Sequence, residues 1–480
     1  MKLLCIFTLF FLIITGCSFI PEYVPSKAPV SNEFNIDDLK ISDNASEAAF
    51  ISYKDFFTDP DFVKILEIAL KNNRDLLTAI NRIEEARATY GIARADLFPN
   101  ISGNLSGGRS RTPEDLSVSG QATTSSQYNA AFNLTTWEID FWGRLRSLKE
   151  SALNYFLSSE QAKKAVELSL VKELAVNYIV IRELDERILI AESSLRTRSE
   201  SYRIMKLRYE VGAISKLEYT QAEILLNQAK TELAILMRQR EQSINAITLL
   251  IGVQDVKISE KPLSQIEDKF SKDIKPGLPS SLLLNRPDIL AAEFELKAAN
   301  ANIGAARAAF FPNITLTAAY GSGSDELDSL LGNNNSAWNF AANINLPIFQ
   351  GGRNIANLAR AKAQFNVALT IYEKTIQTAF KEVADALSDL RWLAKQLDIE
   401  KKNLATLVER TRLANLRYES GAASYLEVLD AEREQFTAEQ TVVQTRRALL
   451  ASSVNLYTAL GGGSLTDSYN ISQRKISQGE

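Results

Sequence analysis

The sequence predicts an α+β membrane protein made of two copies of one unit, with very long helices and four strands per chain. The segment "LRYEVGAISKLEYTQAE" at 207–223 recurs as "LRYESGAASYLEVLDAE" at 416–432, with 11 of 17 positions identical. The segment "ARADLFPNIS" at 93–102 recurs as "ARAAFFPNIT" at 306–315. Both recurrences have nearly the same offset, far longer than the roughly 20–50 residues of solenoid repeats, so they indicate an internal two-fold repeat.

Long helices are predicted in each half of the chain. The stretch 354–418 contains neither Pro nor Gly, and a helix of that length would span about 95 Å. Two series of positions in steps of seven, starting at Ile355 and Leu358, define a seam along this helix. Of these 18 seam positions, 15 are apolar. Such a sustained heptad pattern predicts coiled-coil packing. The predicted helices are 60–96, 144–209, 216–251, 288–309, 354–418 and 425–460.

Four segments between these helices alternate in polarity with a period of two, at about 100–111, 127–140, 313–323 and 337–349. Apolar residues facing small uncharged polar residues over about ten positions are typical of a transmembrane β-strand. Four strands cannot close a barrel, and hydrocarbon leaves no backbone edge unpaired, so other copies of the chain must complete the sheet. The alternative is a soluble four-stranded sheet with one face in water.

The N-terminus predicts an exported lipoprotein. Lys2 and an apolar stretch at 3–14 precede "ITGC", so residues 1–16 fit a signal peptide and Cys17 fits the lipid-modified cysteine of a bacterial lipobox. The alternative is an ordinary signal peptide with a chance cysteine. Because Cys5 leaves with the signal peptide, the mature chain keeps one cysteine and forms no internal disulfide.

The composition of the 480 residues excludes several classes of function. Net charge is -4 with no basic block, which argues against nucleic acid as a partner. No histidine is present, so the commonest general base and metal ligand are absent. The "GGGS" at 461–464 is too short for a phosphate-binding loop. We therefore expect no enzyme activity, no catalytic residues, no cofactor and no metal site.

The chain resembles the TolC-type outer membrane efflux factors, in their lipoprotein branch of NodT-like multidrug-efflux channels. The resemblance covers about 21–463 and is carried by "ITGC", the paired "LFPNI" and "FFPNI", "GLPSSLLLNRPDILAAE" at 277–293, the doubled "LRYExGA" and "NLYTALGGG" at 455–463. That branch commonly has Asp and Arg where this chain has Ser281 and Asn285.

This resemblance implies a homotrimer. Its fold would be a twelve-stranded β-barrel in the outer membrane, continuous with a long periplasmic α-helical coiled-coil barrel. Its role would be the passive exit duct of a tripartite efflux system for drugs and toxic amphiphiles. A periplasmic adaptor (membrane fusion protein) would join it to an inner-membrane pump of the resistance-nodulation-division type, and acyl chains on Cys17 would hold the N-terminus in the outer membrane. Alternatives are a channel for type I protein secretion and a periplasmic coiled-coil lipoprotein without a pore.

The predicted domains follow the chain in order. They are a signal peptide at 1–16, a lipidated equatorial segment at 17–59, a first efflux-factor repeat at 60–251, an equatorial connector at 252–284, a second repeat at 285–463 and a tail at 464–480.

The doubled turns are the predicted adaptor-contact tips. Gly212 and Gly421 supply the backbone freedom that a helix reversal needs, and both turns lie one helix length from the strands. The alternative is that the turns are alike only because the fold is duplicated. The predicted contact residues are Val211, Gly212, Ala213, Ser215, Gly421, Ala422 and Ser424.

The second turn also carries a predicted periplasmic gate. Glu427 and Asp430 are three residues apart and share a helix face, so in a trimer they would form rings of negative charge that attract cations and obstruct anions. The resemblance places Leu426 at the same constriction, and Tyr418 and Arg417 in a latch between neighbouring hairpins. Some relatives carry Arg where this chain has Ala423. The alternative is an ordinary solvated face.

Overall fold

A computed structural model describes residues 18–25, 28–31, 46–118, 120–254, 257–270, 274–275, 279–332 and 334–464. The predicted lipidation site Cys17 and nearly all of the predicted tail lie outside these residues. The chain forms two compact units that both draw on the two repeats. For the described residues within these ranges, unit 1 comprises Met1–Lys27, Arg82–Ser159 and Ala291–Tyr372, and unit 2 comprises Ala28–Asn81, Glu160–Leu290 and Glu373–Glu480.

The elements alternate as the repeat predicts. The strands are β1 Ser46–Glu47, β2 Ile101–Thr112, β3 Thr123–Ile139, β4 Ile274–Lys275, β5 Asn313–Ser324 and β6 Ser336–Asn345. The α-helices are α1 Tyr53–Phe56, α2 Pro60–Asn72, α3 Arg74–Ala95, α4 Arg144–Glu210, α5 Lys216–Ile251, α6 Pro279–Asn285, α7 Pro287–Ala308, α8 Arg353–Glu419 and α9 Tyr425–Ala459. None of the helices in the described ranges is long and apolar enough to cross a membrane.

Two differences from the predicted element bounds have a clear physical cause. The helix predicted at 60–96 breaks at Asn73, whose side chain accepts a hydrogen bond from the Leu76 amide and so caps the start of α3. The last strand ends at Asn345 instead of near 349, because Pro347 has no amide hydrogen for the ladder.

Unit 1 contains an antiparallel sheet in the order β2-β3-β5-β6. Its register places apolar side chains in rows: Phe132 lies opposite Tyr320, and Tyr320 opposite Trp338. A bulge between Leu134 and Trp137 inserts one extra residue, so the face of Leu134 continues through Trp137. One face is therefore apolar along the strands, while Asn and Thr residues lie on the other.

The N-terminal segment of unit 1 packs along α7. The Asn300 side chain donates to the Pro21 carbonyl at 2.8 Å, and the Phe19 ring stacks on Phe311 with centroids 4.6 Å apart. Gly304 permits this close approach, because a Cβ there would lie 2.7 Å from Ile20.

The seam of α8 is buried over most of its length. Tyr372, Ile376 and Val383 are all at most 5% exposed, and the heptad positions continue buried or half-buried to Ala414. Ile355, at the start of the same pattern, is 69% exposed. Ile355 is therefore largely unpacked among the described residues, although its place in the heptad pattern predicts a partner.

Unit 2 repeats one junction twice. Gly252 and Gly461 lie at the ends of α5 and α9, and both have φ of 75°. A Cβ atom on Gly252 would collide with the Asn72 carbonyl oxygen, and one on Gly461 would collide with the Asn285 carbonyl oxygen. The residue that follows each of these asparagines bonds to the same helix. In the first repeat, Asn73 donates to the Leu250 carbonyl of α5 at 2.8 Å. In the second repeat, Arg286 donates to the Ala459 carbonyl at 2.9 Å.

Arg286 explains the "NRPDI" motif structurally. Its guanidinium is buried and also bonds to Asp288 and Glu382 at 2.6 and 2.7 Å. Burial alone would lower the pKa of Arg286, but the two carboxylates more than offset this and raise it. The motif therefore holds one helix junction together.

An aromatic core joins the segments predicted as equatorial. Phe56 stacks on Tyr457 with centroids 4.2 Å apart, and Phe57 contacts both Phe62 and Phe270. The Tyr178 hydroxyl donates to Asp59 at 2.8 Å at the side of this core. The predicted segments 17–59 and 252–284 thus contribute aromatic residues to one cluster with the helices.

Candidate functional site

The two doubled turns have the same backbone. Gly212 and Gly421 both have φ of 75°, a left-handed conformation that favours glycine. The Ala213 amide bonds to the Arg208 carbonyl at 2.7 Å, and the Ala422 amide bonds to the Arg417 carbonyl at 2.8 Å. Each long helix therefore ends in a Schellman motif before the chain reverses.

The helices that follow the turns start differently. Ser215 and Glu218 form a capping box at the start of α5: the Glu218 amide bonds to Ser215 Oγ at 3.3 Å, and the Ser215 amide to Glu218 Oε2 at 3.0 Å. The equivalent Ser424 makes no side-chain cap bond at the start of α9. Glu427, which corresponds to Glu218, instead accepts a hydrogen bond from Arg417 Nη1 at 2.8 Å.

The two carboxylates of the predicted gate each have an arginine partner in the same hairpin. Glu427 pairs with Arg417, and Asp430 pairs with Arg433 at 2.8 Å. These side chains are 37–61% exposed, so each pair contributes only about 0–1 kcal/mol in water. The predicted constriction residue Leu426 is half exposed. The acidic face is thus present, but arginines reduce its net charge in the single chain.

The two hairpins of one chain are fastened to each other. Arg208 Nη1 donates to the Tyr418 hydroxyl at 2.8 Å, and the Tyr418 ring lies 5.2 Å from Tyr425. A small apolar cluster continues below them, with Met205, Ala222, Ala414, Tyr425, Val428, Leu429 and Ala431 buried. The sequence analysis missed Arg208, although its equivalence to Arg417 in the repeat was the available signal.

A carboxyl group is partly buried beneath the second turn. Burial raises the pKa of Glu432, and the nearby Arg198 guanidinium partly counters that rise. Burial also lowers the pKa of Arg198, whose guanidinium lies over the Phe436 ring at 5.4 Å from its centroid. Both groups line an open groove of about 640 Å³ in unit 2.

Similarity to known proteins identifies the family of this chain. The profile described as "Outer membrane efflux protein" matches twice, over residues 65–253 and 278–462. The chain belongs to this family. It is 40% identical over 455 residues to the "Solvent efflux pump outer membrane protein SrpC" of Pseudomonas putida, covering 94% of this chain and 96% of the relative. It is also 40% identical over 453 residues to the "Antibiotic efflux pump outer membrane protein ArpC" of the same species, covering 94% and 93%.

A solved structure in the same family supports the fold. The open state of the Neisseria gonorrhoeae MtrE outer membrane channel is similar with a TM-score of 0.83 and 37% identity, covering 93% of this chain and 98% of that one. The predicted family, fold class, outer-membrane location and efflux function are confirmed. As a member of the outer membrane efflux protein family, the chain is a channel component of an efflux pump and not an enzyme. No group of residues suited to hold a metal ion occurs in the ranges that the structure describes.

The turns of this efflux protein are accessible to a partner. All seven predicted adaptor-contact residues are exposed; Val211, one of them, is 79% exposed, and the neighbouring Leu217 is 66% exposed. Exposed apolar side chains at the end of a helical hairpin suit contact with another protein. That contact and the gate roles stay predictions.

Proposed function

We propose that this efflux channel works as a homotrimer and passively conducts small apolar or amphiphilic molecules out of the cell. The observation that carries the proposal is the β2-β3-β5-β6 sheet, which has an exposed apolar face and two edge strands without partners among the described residues. Hydrocarbon offers backbone edges no hydrogen bonds, so strands from other copies must close the sheet. Three copies give twelve strands, more than the roughly eight whose side chains fill a barrel interior.

The substrates follow from the relatives. Two proteins at 40% identity over almost the full chain are named for solvent and antibiotic efflux. This similarity supports small molecules, with their choice made by the pump that loads the duct. The expected partners are a periplasmic adaptor at the exposed turns and an inner-membrane pump of the resistance-nodulation-division type.

A lipid on Cys17 would anchor the same channel to the outer membrane. Support comes from residues 18–25, which follow Cys17 directly and pack along α7 in the unit that contains the sheet. Mass spectrometry of the mature N-terminal peptide tests this: two ester-linked acyl chains are expected, and an unmodified cysteine would refute the anchor.

The gate is proposed at Leu426, Glu427 and Asp430, with Tyr418 and Arg417 holding the hairpin. In a threefold assembly the carboxylates would approach one another at a narrow entrance, and rings of like charge attract cations. The intrachain pairs support a closed state in which Arg417 and Arg433 limit repulsion between the carboxylates.

Single-channel conductance in a planar bilayer tests the duct and its gate together. The double variant Glu427→Gln with Asp430→Asn is expected to conduct more than the parent protein, because it leaves Arg417 and Arg433 as uncompensated like charges that repel one another at the closed entrance. The matched control is Glu218→Gln, which changes the equivalent residue of the other turn. No channel from any variant would refute the duct, whereas equal conductance of all three proteins would refute only the gate.

Resistance in cells tests the substrate class. A strain lacking this gene should become more sensitive to toluene and to hydrophobic antibiotics, and the parent gene should restore tolerance. Unchanged tolerance, together with a lost ability to export a protein into the medium, would contradict small-molecule efflux.

A further inference from the structure

The loop between β5 and β6 lies over the apolar face of the sheet. Ser322 and Ser324 point to that face, since they alternate with Gly321 and Gly323 and continue the side of Tyr320. The Ser322 hydroxyl donates to the Leu330 carbonyl, and the Ser324 hydroxyl bonds to the Ser329 hydroxyl. The loop segment 329–332 is therefore fastened to the face that carries the large apolar side chains.

This loop leaves apolar surface uncovered. Leu330 is buried, whereas Leu327 and Leu331 are 63% and 86% exposed. A groove of about 560 Å³ runs between Leu331 and the sheet residues Leu105, Phe132 and Tyr320. Its lining continues the exposed apolar face, which in an outer-membrane barrel faces hydrocarbon.

The register sets the height of this loop relative to the other hairpin. The row of Gly107, Tyr128 and Ser324 is the last that joins three strands. Beyond Gly107 the β2–β3 hairpin continues for five residues to Thr112, which is about 17 Å of additional strand. The tip of that hairpin, with Val118, consequently extends farther from the hydrocarbon than the loop at 325–335.

Two arginines follow the apolar residues on the same side of β2. Arg109 and Arg111 alternate in phase with Leu105 and Gly107, and they lie two and four residues beyond Gly107 along β2. Both are exposed, and among the described residues neither has a carboxylate within ion-pair distance. Unpaired guanidinium groups just above an apolar surface suit the phosphate of a lipid head group, which they can bind with two parallel hydrogen bonds.

We propose that this corner of the sheet binds a lipid of the outer leaflet whose phosphate head group carries a net negative charge. Arg109 and Arg111 bind the phosphate, and the groove below Leu331 holds an acyl chain. The site rests on the outer-membrane location of the family and does not depend on the adaptor, the gate or the transported substrate. It would fasten the loop at the membrane surface.

Spin labels on the trimeric protein in vesicles of dioleoyl phosphatidylcholine and dioleoyl phosphatidylglycerol test the position of the loop. A label at Leu331→Cys should collide more often with oxygen, which concentrates in hydrocarbon, than with a water-soluble nickel chelate. A label at Val118→Cys, another exposed apolar loop residue, should show the reverse. The parent protein, treated with the same label, gives the background signal from Cys17. Equal nickel access at both positions would overturn the proposal.

Native mass spectrometry tests the head-group preference. The parent protein should retain phosphatidylglycerol in preference to phosphatidylcholine, and the variant Arg109→Gln with Arg111→Gln should lose most of that preference. The control variant Arg82→Gln with Arg94→Gln removes the same charge from α3 and should behave as the parent does. The proposal fails if both variants lose the preference equally, or if the parent has none. Channel conductance should be unchanged in every variant, so that failure here leaves the duct proposal intact.

Discussion

Replacing Ser215 by alanine should loosen the start of α5, whereas replacing Ser424 should leave the start of α9 almost unchanged. Ser215 Oγ accepts the Glu218 amide at 3.3 Å, but Ser424 makes no side-chain cap bond. Losing a serine N-cap costs about 1 kcal/mol, which corresponds to roughly a fivefold rise in local opening. The two serines occupy equivalent positions of the repeat and are both exposed, so they form a matched pair.

Hydrogen exchange measured by mass spectrometry reports this difference directly. Peptides covering the first turn of α5 should exchange about five times faster in Ser215→Ala, and those covering the first turn of α9 should not change in Ser424→Ala. Peptides from the middle of α5 serve as an internal control. Equally faster hydrogen exchange in the two variants would refute the argument that Glu427 pairs with Arg417 instead of capping α9.

Three further perturbations test other features. Gly212→Ala should strain the left-handed turn by about 1–2 kcal/mol and speed proteolysis at the tip, whereas Gly91→Ala, in open space inside α3, should not. The raised pKa of Glu432 means that its contribution to stability is full below the ordinary carboxyl pKa and is lost as pH rises through the raised value. Glu432→Gln should therefore stabilise the hairpin at neutral pH and flatten thermal stability against pH; a steeper dependence would contradict this reading. Gly304→Ala should displace Ile20. Faster hydrogen exchange of residues 18–25, with unchanged exchange in unit 2, would confirm this. Unchanged exchange throughout would disprove it.

The long-range periodicity of the chain was readable from sequence. The helix predicted at 354–418 is observed at Arg353–Glu419, because an unbroken run without Pro or Gly leaves few alternatives. The segment predicted as a strand at about 100–111 is likewise observed as the strand Ile101–Thr112. These features depend on patterns that recur over many residues.

Features that depend on single side-chain contacts were not readable. Asn73 ends a helix only because its side chain meets the Leu76 amide and the Leu250 carbonyl, which lies 177 positions away. Likewise, nothing in the sequence distinguishes Glu218, which caps a helix, from Glu427, which pairs with Arg417. Which of two nearby partners of similar strength each glutamate binds depends on the three-dimensional positions of those partners.

The unequal turns have a consequence for any partner that encircles the tips. Three chains would present six hairpin ends in alternation, three locked by a serine–glutamate box and three whose glutamate is held by arginine instead. Six identical partner subunits could not grip these ends in six identical ways. A docked ring would have to work as a trimer of pairs, with one member of each pair beside the fixed end and the other beside the end whose charges can rearrange.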